Sequence, residues 1–399
     1  MYLPHPEPCG PIGGALYRTV EILKRARKHG INYFVIENKP SFKQAFGLEY
    51  EGCEISINGY PRSIFSYCKM MIELTLAGLE KCNNMDLIVS PLESPFCVFP
   101  AYLTSKITSV PWTTVLQSVP GYWSLPDESL NYTSKFSDLY RYVGIHRQFK
   151  DITLATLTRW LMYKVLRDTT ALTVSKSIAE DIQRFEKIRI EEIFPGNAID
   201  VENISTIPAQ RERAYDAIFA AAILPGKGVF DAIQAWSLIA KKRPFSRIVI
   251  VGKGNKDIVR KVKSQIRRLA LENNVVLPYD LMKGAPSLSE LWSLMKQSRI
   301  LIHPSTLDAW SLVIGEAFAC GLPVVAYDIN ATKYAYGDCP ALFCVKRGDV
   351  EGLATKALEL LENGFLKQYA DQATRFKHYS WDDVVESEKN AYLRLKRRR

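Results

Sequence analysis

From Tyr215 onward the chain alternates short apolar runs with amphipathic ones, and that rhythm narrows its fold more than any other feature. Asp216–Ala222, Arg247–Val251, Val275–Pro278, Ile300–His303, Pro323–Tyr327 and Ala341–Val345 read as strands. Between most of them lie helical patterns, such as Val229–Lys241, Asp257–Leu271 and Leu288–Gln297. A β-α-β-α order predicts a mainly parallel sheet wrapped by helices, with ligands at the carboxyl ends of its strands.

The first half is less regular. A helix at Tyr17–His29 and strands at Asn32–Ile36, Asp86–Ser90, Pro111–Leu116 and Ala171–Val174 fit a second such sheet. The 399 residues suffice for two domains, each with its own core, so a bilobed α/β protein is expected. Its 47% hydrophobic and 24% charged residues are those of a soluble globular chain. Runs of 18 or more apolar residues and an opening signal segment are both missing, so no membrane span is expected. The net charge of +10 favours anions without choosing among nucleotides, anionic lipid and nucleic acid. Its clusters at Lys241-Lys242-Arg243, Lys253 to Arg268 and Lys396 to Arg399 read as solvated helix faces. Eight scattered cysteines without a C-x-x-C pair argue against zinc and against a disulfide framework, and make a reducing cytoplasm the default.

The densest chemistry lies in Ser305–Ala326. Ile300–His303 ends in Pro304, Ser311 is placed to cap a helix from about Leu312 to Cys320, and Gly321 and Pro323 stop it. Backbone N–H groups of Ser311, Leu312 and Val313 at that helix start would favour a bound phosphate. Asp308 precedes this anion site and Glu316 follows it, eight positions apart. Carboxylates beside a phosphate need hydroxyl partners, which sugars and ribose supply. The plain alternative is a loop acid and a solvated helix residue.

The stretch from Asp308 to Val325 resembles the E-x7-E region of the retaining GT-B glycosyltransferases of family 4, written E-G-F-G-L-x-x-x-E-A-x-A-x-G-x-P-V-V. Asp308 stands for the first Glu and Ala309-Trp310-Ser311 for Gly-Phe-Gly. The resemblance implies that Asp308 contacts the transferred sugar and Glu316 the ribose, while backbone amides following Trp310, at Ser311, Leu312 and Val313, hold the donor phosphates. The shorter Asp would draw its carboxylate back by one methylene, and losing two glycines narrows the loop's backbone freedom.

Other segments carry the same resemblance. Gly10-Pro11-Ile12-Gly13-Gly14-Ala15 precedes the Tyr17–His29 helix and is similar to the family's G-G loop, so Gly13 and Gly14 would offer amides to the diphosphate. On its own it reads equally as an ordinary turn. Ala221-Ala222-Ile223-Leu224-Pro225-Gly226-Lys227-Gly228 is similar to G-R-L-x-x-x-K-G. Lys227 is kept and Ala222 replaces the Arg, which removes one of two phosphate-binding cations. Val251-Gly252-Lys253-Gly254 is similar to V-G-x-G and lacks the third Gly of a nicotinamide fingerprint. Gln117 stands where many members have a His near the sugar; it can donate a hydrogen bond to a hydroxyl but take up no proton. His146 reads as a surface residue. Arg147–Arg167 mixes Phe149, Ile152, Leu157, Trp160, Leu161 and Val165 with basic residues. It is read as a helix packed on the first lobe with a wet basic edge, the alternative being a peripheral contact with an anionic membrane.

Family members open on a buried strand, whereas here Met1 is followed at once by Tyr2-Leu3-Pro4. The first strand is therefore read as missing from the sheet, either because the true start lies upstream, the favoured reading, or because the sheet lacks a central strand. Pro195-Gly196-Asn197-Ala198-Ile199-Asp200 resembles the family's P-N-G-[IV]-D at the crossing between lobes, and Tyr379-Ser380-Trp381 the start of its last helix, with Ser380 as cap.

The expected architecture is α/β, the GT-B fold of two Rossmann-like parallel-sheet lobes facing a central cleft. It comprises an acceptor-side lobe at 1–195, a nucleotide-sugar lobe at 196–378 and a helix at 379–399 returning to the first lobe. The expected activity is transfer of a sugar from a nucleotide-diphospho-sugar to a glycan or lipid-linked acceptor, with retention, in the cytoplasm or at its membrane face. Asp308, Glu316 and Lys227 are the catalytic candidates, with Gly13, Gly14, Trp310, Ser311, Leu312 and Val313 completing the donor site. No metal and no cofactor are expected, because cationic and amide donors do that charge work. The alternatives are a sugar-nucleotide epimerase and a non-catalytic partner of another transferase. A nucleic-acid role has only net charge behind it.

Overall fold

A computed structural model describes residues 1–3, 14–39, 42–58, 64–119, 157, 159–184, 186–208, 212–306, 308–362, 364 and 366–397. They form two compact units. Among the described residues, one comprises those of 1–119, 157–198 and 379–397, and the other those of 199–378.

In the first unit, strands β1 (Phe34–Lys39) and β2 (Glu51–Asn58) pair in parallel. Strands β3 (Ile88–Ser90), β4 (Trp112–Leu116), β5 (Thr170–Thr173) and β6 (Arg189–Glu192) form a parallel sheet in that order. The position expected to be vacant is taken by Met1–Leu3. Leu3 N–H donates to Ile36 O at 2.8 Å, Ile36 N–H to Met1 O at 2.8 Å, and Tyr2 N–H to Val89 O at 3.1 Å. These three residues thus join β1 to β3 as a stub of strand, and Tyr2 and Leu3 are fully buried. The prolines after Leu3 hide so short a piece from any pattern reading, because they cannot extend the ladder.

The last helix, Trp381–Arg397, packs on the helix Gly14–Ala26 through Trp381, Val384 and Val385 against Ile22 and Ala198. Its start is capped reciprocally: Asp383 N–H donates to Ser380 Oγ at 3.2 Å and Ser380 N–H to Asp383 Oδ2 at 2.9 Å. Beneath the apolar contact lies a buried ion pair, Arg18 Nη2 to Glu388 Oε2 at 2.6 Å, each side chain 2% exposed. Arg18 Nε also donates to Gly196 O at 2.7 Å, so one guanidinium ties together both helices and the segment leaving the unit.

In the second unit, strands β7 (Tyr215–Ala220), β8 (Ile248–Val251), β9 (Val275–Val276), β10 (Ser298–His303), β11 (Val324–Tyr327) and β12 (Leu342–Val345) form one sheet. Its order is β12-β11-β10-β7-β8-β9, all parallel. Successive residues feed opposite faces. Ala217, Phe219, Ile248, Ile250, Ile300 and Ile302 join one core with Trp236. Ile218, Ala220, Val249, Val251 and Leu301 join the other with Phe318. Apolar residues on both faces are what a parallel sheet covered on both sides needs. The strand order reverses between β7 and β10, the switch point at which such sheets bind ligands.

The buried ion pair sets a test of the first unit. Glu388→Leu leaves the Arg18 charge uncompensated and should cost about 3 kcal/mol in urea unfolding, while Arg18→Met with Glu388→Leu should recover part of that loss. A single variant as stable as wild type would contradict this account of the pair.

Candidate functional site

The two loops at the switch point are tied together. β7 leads through Ala221–Leu224 into a tight turn at Pro225–Lys227, closed by Gly228 in the left-handed region at φ 79°. β10 ends at His303 and leads through Pro304, Ser305 and Thr306 toward Asp308. Thr306 N–H donates to Gly226 O at 2.9 Å, and a Cβ on Gly228 would sit 2.0 Å from Pro304 O. Only glycine allows both the backbone sign and the approach. That approach brings Lys227 Nζ within 2.8 Å of Asp308 Oδ1, an ion pair at the carboxyl edge of the sheet.

The other Asp308 oxygen is held from below. His303, 2% exposed, places Nε2 3.0 Å from Asp308 Oδ2 and 3.0 Å from Ser311 Oγ. Burial would raise the Asp308 pKa, but the Lys227 ammonium and the His303 contact outweigh it and hold the carboxyl well below its usual range. The sequence reading had Ser311 as a helix cap. It occupies that position, yet its side chain makes no capping bond, because its hydroxyl turns to His303. The first amides of the helix Leu312–Ala319 are therefore left without a side-chain cap.

Trp310 is locked to a residue the sequence reading passed over. Its Nε1 donates to Tyr336 OH at 3.1 Å, and Tyr336 OH donates to Ser311 O at 2.8 Å. Gly315 makes room for that hydroxyl, since a Cβ there would lie 2.9 Å from it. Burial first, with the Glu316 and Asp308 charges adding to it, pushes the Tyr336 pKa far up, so it stays a neutral donor.

Glu316 sits in the opposite electrostatic condition to Asp308. It accepts from Trp292 Nε1 at 3.3 Å, and burial pushes its pKa up to about 7 against the indole hydrogen bond. An ionised Glu316 is thus short of donors, as a residue waiting for ligand hydroxyls would be.

In the first unit Gln117 is a strut. Its amide donates to Pro91 O at 3.0 Å and Ala15 O at 3.2 Å, so the hydrogens expected for a substrate hydroxyl are spent on the protein. Beside it Glu93, raised in pKa by burial, accepts from Gln117 N–H at 2.9 Å and from the Ser118 hydroxyl. Gly14 is exposed at the start of its helix, Ala222 is exposed, and Gly13 and His146 lie outside the described residues. Of Arg147–Arg167, the described part buries Met162, Tyr163 and Leu166 and exposes Leu157, Trp160 and Leu161, with Lys164 Nζ 3.7 Å above the Trp160 ring. Among the described residues no helix is long and apolar enough to cross a membrane.

Two variants check this geometry. Gly228→Ala should lose about 2 kcal/mol or more of stability, from the positive φ and the approach to Pro304. Glu316 binds its proton more tightly folded than unfolded, so its contribution to stability should fall as pH rises from about 4.5 to about 7. Glu316→Gln should then be more stable than wild type at pH 8 by about 2 kcal/mol and equal to it near pH 4. Thermal unfolding across that range reads the difference, and parallel curves would overturn it.

Known proteins resemble this chain in sequence and fold. Residues 200–379 match the model of the glycosyl transferases group 1 family. The exopolysaccharide phosphotransferase of Streptomyces coelicolor is 30% identical over 185 residues, 44% of this chain and 18% of that protein. The poly(glycerol-phosphate) alpha-glucosyltransferase of Bacillus subtilis is 25% identical over 187 residues, 46% of this chain and 26% of that protein. The chain therefore spans no more than about a quarter of the length of these two relatives. Anabaena HepE, solved with UDP and glucose, superposes with a TM-score of 0.72 at 17% identity, covering 99% of this chain and 100% of that one. Residues 200–379, which hold Lys227, Asp308 and Glu316, are thus similar to the group 1 glycosyl transferases, and the chain has the GT-B fold.

Proposed function

We propose that this chain transfers a sugar from a nucleotide-diphospho-sugar to a glycan or lipid-linked acceptor, with retention at the anomeric carbon. The observation that carries the reading is the Lys227–Asp308 pair, which sets a cation and a hydroxyl-binding carboxylate 2.8 Å apart at the switch point. A donor has that polarity: an anionic diphosphate joined to a ring of hydroxyls. Lys227 and the amides of Ser311, Leu312 and Val313 take the departing diphosphate. Asp308 orients the sugar, Glu316 accepts from ribose, and Trp310 holds the loop. These groups supply the leaving-group charge stabilisation without a metal.

Retention and membership of family 4 rest on the E-x7-E likeness, and the alpha-glucosyltransferase named above is consistent with them. UDP is the first nucleotide to try, because HepE was solved with it. A lipid-linked acceptor is supported by the exposed Leu157, Trp160 and Leu161 beside Lys164, which suit the edge of an anionic membrane on the cytoplasmic side.

Donors are screened by thermal shift and then by turnover. Lys227→Ala and Glu316→Ala should each cut turnover about 100-fold or more while the proteins remain folded. Unchanged rates in both would defeat the reading. Binding of a nucleotide sugar with no transfer or hydrolysis on any acceptor would assign the chain to a non-catalytic partner, for which the exposed Ala222 in place of Arg already speaks.

A further inference from the structure

We infer that His303 is a positioning residue for sugar transfer, fixing the Asp308 carboxylate and the Ser311 hydroxyl while Lys227 engages the diphosphate. The inference rests on the reading of Asp308 and Lys227 given above. Four observations carry it.

His303 is the last residue of β10, the strand lying between β7 and β11, and is 2% exposed. Its place is therefore set by the sheet. Its Nε2 lies 3.0 Å from both Asp308 Oδ2 and Ser311 Oγ, which spans two points of the loop between strand and helix. A carboxylate only accepts, so Nε2 must carry the hydrogen. Nδ1 is buried with no hydrogen-bond partner. As a bare lone pair in the Nε2–H tautomer it costs less than a buried, unmatched N–H would.

The division of labour follows from the two oxygens. Lys227 meets Oδ1 and His303 meets Oδ2. When Lys227 turns to a phosphate, Asp308 keeps a rigid donor and its aim. The same bond draws Ser311 away from the helix amides, which stay available to the ligand. Loss of His303 should therefore damage the step that uses Asp308 and spare the grip on the nucleotide.

The test compares wild type with His303→Leu, which keeps bulk without a donor, and His303→Gln, which returns an N–H near the Nε2 position. Calorimetry reads UDP affinity, with ADP and GDP in parallel; kcat is read with the donor that wild type uses. His303→Leu should lower kcat about 30-fold with nucleotide affinity held within about 3-fold, and His303→Gln should restore kcat to within about 5-fold of wild type. An unchanged kcat in His303→Leu, a Gln variant as poor as Leu, or a loss of nucleotide affinity that tracks kcat would each overturn the assignment. Nitrogen NMR of labelled histidine in the unliganded protein decides without any substrate. The His303 signal should report the Nε2–H tautomer and shift in Asp308→Asn, and an Nδ1–H tautomer overturns the proposal. If wild type binds no nucleotide and turns over no donor, the functional reading fails, and the NMR result still judges the contact.

Discussion

A parallel sheet buried on both faces forces its crossovers to leave on both sides, and the second unit is arranged around that constraint. Beginning at β7, the chain adds β8 and β9 on one side, then returns to place β10, β11 and β12 on the other. Two neighbouring strands therefore send their following loops apart, and the gap between them cannot be closed by a crossover helix. The contacts of Gly226, Lys227 and Gly228 with Pro304, Thr306 and Asp308 hold that gap at a fixed width. Apolar alternation along β7, β8 and β10 keeps the strands in register beneath it.

The two acids on either side of the helix start at Ser311 are held in contrary states by their neighbours. Asp308 has a cation and an imidazole against its two oxygens, so it remains ionised in the unliganded protein. Glu316 has an indole and burial, so its charge is expensive until something donates to it. The first arrangement stores geometry, and the second stores a demand for hydroxyl groups. Under the proposed function both serve a ligand that brings anion and hydroxyls together.

Much of this was legible in the sequence, and what was not has a physical cause. Strands β7, β8, β10 and β11 are short Val/Ile-rich runs that a periodicity reading finds, with ends shifted by one or two residues. Lys227, Asp308 and Glu316 stand out because they fall at fixed spacing beside turn residues. His303, Trp292 and Tyr336 did not, because each meets the site across a fold-dependent contact and looks locally like an ordinary strand or helix residue. Ser311 was placed correctly and given the wrong partner, since a cap rule sees only the following amides and not a histidine eight residues earlier. Strand β2 was missed because its exposed Glu51 and Glu54 break the apolar run, and Met1–Leu3 because three residues carry no period.

The first unit is interrupted in sequence: the chain leaves it after Ala198 and regains it at Tyr379. As the polypeptide emerges vectorially from a ribosome, Ile199–His378 is complete and able to fold while the earlier unit still waits for its final segment. Until that segment arrives, Arg18 has no carboxylate and Ile22 has no Trp381, Val384 or Val385 to cover it. Completion of the earlier unit therefore follows synthesis of the second, so a nascent chain that stalls before residue 379 would carry a finished second unit beside an unsealed first one.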